Sequence, residues 1–284
     1  MSTTPTTTSW DRAAPQYLAE WVPRFLPYHR DLIEELAVSE AQKVLVVSAG
    51  PGAEALVAAR RVGPHGKVVA TDSSPEMVRI CGEEARRAGL EITTRVADFG
   101  DASGGPWDAI VCAFGLWQID DARRPEVLAA WRASLAPHGK VGVVTWGPPD
   151  PDGPFERLAH VLQELEPAYA PSGRRKFAER ELMAKMFEEA GLAMVRCTVI
   201  RHPNTFERAE DFVRSLREAC TWRRIWEDLG DERINRIAAK FYEGVGGPEA
   251  PLSFAPAATL AIAALPGAQV EIAARPSVRA PNLG

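Results

Sequence analysis

The 284-residue chain has an ordinary globular composition, with 46% hydrophobic and 25% charged residues and a formal net charge of −5. This acidic balance and the lack of a long basic run argue against nucleic acid or an anionic membrane surface as a partner. No apolar run reaches the about 18 residues that a membrane span needs, and the Thr-rich start carries no signal-peptide pattern. The cysteines are scattered, which predicts reduced thiols, no metal site and a cytoplasmic location.

The first half of the chain alternates apolar strands with helical segments. A helical region over residues 10–38 comes first, and we expect Pro15, Pro23 and Pro27 to break it. The pattern then predicts strands at 43–49, 67–71, 91–97, 108–114 and 140–146, and helices at 53–61, 75–87 and 124–135. Such alternation is typical of a doubly wound α/β fold, whose ligand crevice lies at the carboxyl ends of the strands.

The regular alternation of strands and helices ends after Trp146. Helices are predicted at 155–165 and 179–190, strands at 193–201 and 257–264, and an amphipathic helical region at 206–243. The prediction is therefore a seven-stranded, mostly parallel sheet with a helical cap. We divide the chain into an N-terminal helical lid (1–38), a core (39–148), a cap (149–178 and 203–250), segments that complete the sheet (179–202 and 251–265) and a tail (266–284).

A glycine motif follows the first predicted strand. Gly50, Gly52 and Ala55 form the order G-x-G-x-x-A, and Asp72 closes the second strand about twenty residues further on. Glycines allow a sharp turn and a close approach of backbone to ligand, and a carboxylate at the second position can bind ribose hydroxyls. The motif fits a dinucleotide or an S-adenosylmethionine (SAM) site, and a tight turn without any ligand would also use it.

Later motifs favour SAM. An acidic residue, Asp98, ends the third predicted strand, and the segments WDAIVCAFGL (107–116) and LAPHGKVGVVTW (135–146) follow in order. This succession resembles the class I SAM-dependent methyltransferases, and within them the ubiquinone/menaquinone-methyltransferase-like group that acts on small molecules. The resemblance covers about residues 10–265 and implies a Rossmann-like methyltransferase fold with SAM as the cofactor.

The resemblance also implies roles for particular residues. Ser48, Ala49, Gly50 and Gly52 would line the methionine part and ribose of SAM, and Asp72 would hold the ribose hydroxyls. The adenine would lie near the side chains of Ser73, Met77, Asp98 and Phe99. Ala113, with Phe114 beside it, would face the methionine ammonium, and Tyr17 would close over the cofactor.

The chain departs from the family pattern in the first strand. The family usually has an acidic residue and a glycine where this chain has Val46 and Ser48. The acid helps to anchor the positively charged methionine end, and a lost charge-assisted contact costs about 1.5–3 kcal/mol. We therefore expect weakened SAM binding unless Ser48 compensates in part.

The groups that contact the acceptor are harder to predict. Methyl transfer from a sulfonium needs mainly positioning, and a general base only when the acceptor is not already nucleophilic. His160 is the best-placed histidine, although an exposed helix histidine is the simpler interpretation. Four tryptophans are candidates for sandwiching a planar acceptor, although a place in the core is the simpler interpretation: Trp117, Trp146, Trp222 and Trp226. The basic cluster Arg174, Arg175 and Lys176 is either a solvated loop or a contact to an anionic acceptor.

The prediction that follows is a SAM-dependent methyltransferase. Its acceptor would be a small, largely apolar organic molecule, such as a secondary metabolite or a quinone-like compound, with O-methylation favoured. The chain would act without nucleic acid, membrane or metal, and a homodimer is the assembly we consider. A SAM-binding protein that catalyses another step, such as a cyclisation, is the first alternative, and an NAD-dependent oxidoreductase is the second.

Overall fold

The computed structural model describes residues 7–169, 177–219 and 222–272. The predicted basic cluster at 174–176 lies outside these ranges. Two helices come first, α1 (Thr7–Glu20) and α2 (Val22–Glu35). The sheet and its connecting helices follow: β1 (Lys43–Val47), α3 (Ala53–Val62), β2 (Lys67–Asp72), α4 (Pro75–Arg87), β3 (Thr93–Val96), β4 (Trp107–Ala113), α5 (Arg124–Ala133) and β5 (Leu135–Trp146).

The remaining elements belong to the cap and to the edge of the sheet. In chain order they are α6 (Pro154–Leu165), α7 (Arg180–Glu189), β6 (Ala193–Arg201), β7 (Asn204–Phe206), α8 (Ala209–Ala219), α9 (Arg223–Leu229), α10 (Asp231–Val245), β8 (Leu252–Phe254) and β9 (Ala257–Ala264). Within the described ranges, every helix is too short or too polar to cross a bilayer.

Seven strands form one sheet in the order β3-β2-β1-β4-β5-β9-β6. The pairs from β3 to β5 are parallel, and β9 runs antiparallel to both β5 and β6. This is the strand order of the Rossmann-like methyltransferase fold, so the predicted fold class is confirmed. Parallel order places the carboxyl ends of β1, β2, β4 and β5 at one edge of the sheet, where open α/β sheets bind their ligands.

The alternation of side chains along β1 explains the two layers of core. Val44 and Val46 face an apolar cluster that includes α2, α3 and the cap helices. Leu45 and Val47 face a second cluster, built with α5 and α7. A strand buried on both faces must be apolar throughout, which is why β1 shows no polar alternation.

Two local predictions were wrong, and one strand pair was not predicted. Pro15 and Pro27 lie inside α1 and α2 instead of breaking them, and the two helices meet at Trp21. Proline fits a helical φ but removes an N–H donor and crowds the preceding turn, a cost of about 3 kcal/mol that tertiary packing here offsets. β5 begins at Leu135, earlier than predicted, with an irregular register near Trp107. The pairing of β7 with β8 was not predicted, since each has only three residues.

Candidate cofactor and acceptor site

One cavity opens at the carboxyl edge of the sheet. Its floor is made by the segments that leave β1, β2 and β4, and side chains of α1, α2, α6 and α8 cover it. The cavity brings together most of the predicted cofactor residues, namely Tyr17, Ser48, Ala49, Gly50, Asp72, Ser73, Met77, Phe99, Ala113 and Phe114. Two of the predicted acceptor residues, Trp117 and Trp146, line the same cavity.

The loop after β1 has an unusual backbone. Ser48, Gly50 and Gly52 all have positive φ, at 56°, 52° and 92°. A positive φ strains any residue with a Cβ, so Ser48 holds a conformation that glycine would adopt at lower cost. Phe114, at the end of β4, also has a positive φ of 55°. Backbone strain thus falls at two non-glycine residues that both line the cavity.

Gly52 has a packing role that differs from its predicted one. It begins α3 and does not line the cavity. A Cβ added at Gly52 would lie 2.4 Å from the Sγ of Cys81. Glycine is therefore required here so that the start of α3 can pack against α4.

Asp72 organises the polar end of the cavity. Its Oδ2 accepts a hydrogen bond from the backbone N–H of Gly50 at 2.9 Å, and its Oδ1 accepts one from the N–H of Ser74 at 2.9 Å. Burial raises the pKa of Asp72, while these two N–H donors act in the opposite direction. Each carboxylate oxygen has two lone pairs, so both retain capacity for a further donor from a ligand.

The lid is attached to this end of the cavity. Ser74 caps α4 by accepting a hydrogen bond from the N–H of Met77 at 3.2 Å. Asp11 of α1 accepts a hydrogen bond from the Ser74 hydroxyl and another from the N–H of Glu76 at 3.2 Å. The first helix of the lid is thereby positioned by the same turn that presents Asp72.

A buried His29–Glu54 pair lies in the cavity wall and was not identified as a pair from the sequence. The Nδ1 of His29, on α2, lies 3.3 Å from the Oε2 of Glu54 in the first turn of α3. Burial lowers the pKa of His29 to about 3 and raises the pKa of Glu54 to about 8. Both side chains are consequently uncharged near neutral pH in the cavity as it stands.

The opposite end of the cavity is aromatic. Trp21, Phe25, Phe114, Trp146 and Phe155 form a closed ring of contacts, with centroid distances of 4.8–5.8 Å between successive members. Each comes from a different element or connection, and all five line the cavity. This aromatic ring, as we call it below, forms a wall suited to a planar apolar molecule.

Asp98 is not placed where adenine recognition would need it. Its side chain is 53% exposed and pairs with Arg123, whose Nη2 lies 2.8 Å from Oδ1. The adjacent Phe99 lines the cavity, but Asp98 does not. Its role toward adenine therefore stays a prediction, and it requires Arg123 to release the carboxylate.

Three predicted residues lie away from the cavity. His160 is exposed on α6, whose inward face is formed by Phe155, Leu158, Val161 and Leu162, so the prediction that His160 faces the acceptor was wrong. Trp222 and Trp226 are each 2% exposed and pack on one another at a centroid distance of 5.9 Å. They are core residues of the cap, because α9 turns its apolar face inward, away from the cavity.

Comparison with known proteins agrees with this geometry. Residues 44–139 match the family described as a methyltransferase domain, the span that holds the glycine loop, Asp72 and the end of β4. The YcgJ protein of Bacillus subtilis shares the fold, with a TM-score of 0.56 at 20% identity over 85% of this chain and 100% of that one.

Two relatives of known activity align with parts of the chain. Nocamycin O-methyltransferase of Saccharothrix syringae is 33% identical over 49% of this chain and 50% of its own length. The ubiquinone/menaquinone biosynthesis C-methyltransferase UbiE of Ralstonia pickettii is 29% identical over 57% of this chain and 72% of its own. The alignment thus spans about half of the nocamycin enzyme, and the two relatives methylate different kinds of atom. The segment 44–139 is thus similar to methyltransferase domains, and both of these relatives are methyltransferases by name.

Proposed function

We propose that the protein binds SAM and transfers its methyl group to a small, largely apolar organic molecule, with oxygen as the methylated atom. The observation that carries this proposal is a single cavity with two unlike ends. The glycine loop and Asp72 form a polar end, and the aromatic ring forms an apolar one. A cofactor and an acceptor bound at these two ends would meet near Phe114, a member of the aromatic ring whose neighbour Gly115 lies against Ser48 of the glycine loop.

The residues of the polar end fit SAM. Asp72 is fixed by two backbone donors and still has lone pairs for the two ribose hydroxyls. Met77 and Phe99 supply apolar surface for the adenine, and Ser48 and Ala49 bring backbone close to the methionine part. When bound, SAM supplies a methyl group already activated on a sulfonium.

The protein's own contribution would be to position the acceptor and exclude water. The lid and α6 close the aromatic end of the cavity. They supply three members of the aromatic ring, Trp21, Phe25 and Phe155, which pack against the other two. Holding the reacting atoms in line replaces an encounter in solution with an intramolecular geometry. A phenol or hydroquinone fits this wall, because its ring stacks on aromatics while its oxygen points to the methyl group.

Product analysis tests the proposal. The protein is incubated with SAM carrying a deuterated methyl group and with a panel of phenols, hydroquinones and amines, and the products are examined by mass spectrometry. We expect the label on the oxygen of at least one phenolic or hydroquinone acceptor. Label on carbon or nitrogen would overturn the choice of oxygen, and failure to bind SAM would overturn the proposed function.

A cyclisation on the same scaffold is the second candidate, and Val46 favours it. Val46 is fully buried in an apolar cluster, so the first strand supplies no carboxylate to the cofactor. A protein that kept the cofactor only as a structural part would tolerate that loss. In the labelling experiment this candidate predicts bound SAM, an altered acceptor and no transferred label.

A further inference from the structure

The cavity has a pronounced charge asymmetry. Its described lining contains two carboxyl groups, Glu54 and Asp72, and no lysine or arginine. Asp72 is held by backbone donors, but Glu54 faces no cationic side chain. A carboxyl group buried to 2% exposure in such a place is costly to ionise unless a positive charge comes from elsewhere.

The groups around Glu54 supply no such charge. His29 of α2 is uncharged because burial lowers its pKa to about 3. The charge of Asp72 on β2 further disfavours the Glu54 carboxylate, and the thiols of Cys81 on α4 and Cys112 on β4 stay protonated because burial raises their pKa. The Nδ1 of His29 is buried and has no hydrogen-bond partner among the described residues. In the cavity wall, the His29 Nδ1 therefore lacks a hydrogen bond, and the Glu54 carboxyl lacks a positive charge that would favour its ionised form.

A cationic ligand group would complete this arrangement. On the proposed function, on which this inference rests, the ligand carries an α-ammonium on its methionine half, which lies beside the glycine loop. Glu54 is two residues after Gly52, on the helix that the loop opens. Val46, whose position in the family pattern holds an acid, is packed in the same apolar cluster as Ala55, the next residue after Glu54.

We infer that Glu54, with His29 beside it, binds the α-ammonium of the cofactor and so replaces the acid that the first strand lacks. The bound ammonium stabilises the carboxylate, and His29 becomes a neutral neighbour that can share a hydrogen bond with the carboxylate or the ligand. Because burial raises the pKa of Glu54 to about 8 in the free protein, the carboxyl proton must leave to solvent when the ammonium binds. Binding near neutral pH therefore releases a proton.

Calorimetry with two ligands separates this role from a structural one. S-adenosylhomocysteine carries the ammonium but no sulfonium charge, and 5′-methylthioadenosine lacks the whole amino-acid end. Titrations at pH 7 in buffers of different ionisation enthalpy count the protons released. For the unaltered protein we expect about one proton with adenosylhomocysteine and none with methylthioadenosine.

The Glu54→Gln variant is nearly isosteric, and Asp72→Asn serves as its matched control. For Glu54→Gln we expect adenosylhomocysteine affinity to fall about 10–100-fold with loss of proton release, and methylthioadenosine affinity to change less than about twofold. Asp72→Asn should weaken both ligands, because both contain the ribose, and should keep the proton release.

Two outcomes overturn the inference. One is that Glu54→Gln binds adenosylhomocysteine as tightly as the unaltered protein. The other is that Glu54→Gln loses the same factor of affinity for adenosylhomocysteine and for methylthioadenosine, which would indicate a structural role. Failure of the unaltered protein to bind either ligand is a different result, since it overturns the proposed function itself. His29→Asn, which removes the neighbour but not the carboxyl, should give an intermediate loss confined to adenosylhomocysteine.

Discussion

Asp72 is the residue whose role follows most directly from its hydrogen bonds. Its two backbone donors, Gly50 and Ser74, fix the carboxylate at the end of β2. Replacing Asp72 with Asn should weaken adenosylhomocysteine binding by about 1.5–3 kcal/mol, because a ribose contact to a charged acceptor is lost. Calorimetry measures the change, with Asp152→Asn, an exposed loop position, as the control. Unchanged affinity in the folded variant would remove Asp72 from the site.

The buried carboxyl of Glu54 makes stability depend on pH. Its pKa is raised to about 8 in the fold, against an ordinary value near 4.5. Between about pH 4.5 and pH 8 the folded state thus binds more protons than the unfolded state. The stability that the protonated carboxyl contributes is therefore lost as the pH rises through this range. We expect Glu54→Gln to gain stability over the unaltered protein with rising pH, by up to about 1.4 kcal/mol per unit.

Urea unfolding at pH 5, 7 and 9 without ligand measures this gain. The exposed Glu40→Gln variant is the control for this measurement.

His29 affects the stability of the fold at low pH. Since burial lowers its pKa to about 3, its contribution to stability is lost as pH falls below about 6.5, with or without Glu54. Parallel stability curves for Glu54→Gln and the unaltered protein would contradict the assigned protonation state.

Gly52 joins the glycine loop to the packing of α3 on α4. Alanine there needs φ near +92° and places a Cβ 2.4 Å from the Cys81 Sγ. We expect Gly52→Ala to lower the free energy of unfolding by about 2–4 kcal/mol, from overpacking and left-handed strain together. Gly246→Ala, at φ +97° in the same left-handed region and with only an ordinary contact to the Cβ of Ala250 at 3.6 Å, carries the strain alone and should cost about 1–2 kcal/mol.

A double variant tests the packing part of this argument. Cys81→Ala in the Gly52→Ala background should recover part of the lost stability, because the shorter side chain removes the clash. The comparison uses thermal or urea unfolding of the two single variants and the double variant. Strict additivity would show that the cost of Gly52→Ala comes from the backbone only.

At the scale of the element, α1 is attached by a small apolar cluster, in which Ala14 packs with Met77 and Ile80, and by polar contacts. Asp11 accepts a hydrogen bond from the N–H of Glu76 in the first turn of α4, Trp10 donates to the Oε1 of Gln118 at 3.1 Å, and Arg12 pairs with Glu227 at 3.3 Å. The pair is 58% and 42% exposed, so it adds little stability. An element attached in this way opens more readily than the strands of the sheet.

Hydrogen exchange measures that opening. We expect the amides of α1 and α8 to exchange quickly in the free protein and to slow when adenosylhomocysteine binds, while β1, β4 and β5 stay protected in both states. Asp11→Ala should leave α1 fast even with ligand. Equal protection of α1 with and without ligand would mean that the helix is a fixed layer and that the acceptor enters elsewhere.

For the whole molecule, ligand choice separates a methyltransferase from a nicotinamide enzyme that shares the glycine motif. A ligand at a hundred times its Kd stabilises the fold by about 2.7 kcal/mol. For a chain of this size that corresponds to a rise in Tm of roughly 5–10 °C. We expect this rise with adenosylhomocysteine and no rise with NAD. A rise with NAD alone would contradict the assigned cofactor.

The sequence by itself determined the sheet and the polar end of the cavity. Doubly buried strands such as β1 are continuous apolar runs, and the glycine loop and Asp72 follow strand ends at fixed offsets. These are local patterns, because each depends on residues that are neighbours along the chain. The positions of the strands and most residues that line the polar end of the cavity could therefore be predicted without knowing what packs against them, Gly52 and Asp98 being the exceptions.

Only the tertiary structure decided which apolar side chains line the cavity and which buried polar groups lie next to one another. Helical spacing shows that Trp21, Phe155 and Trp222 are on apolar faces. It does not show that Trp21 and Phe155 line the cavity while Trp222 packs in the core of the cap. His29 and Glu54 are 25 residues apart in the sequence. Both side chains are uncharged because the folded chain buries them, which no local pattern shows. Hydrophobic burial is not directional, so the partner of an apolar face is fixed only when the whole chain has packed.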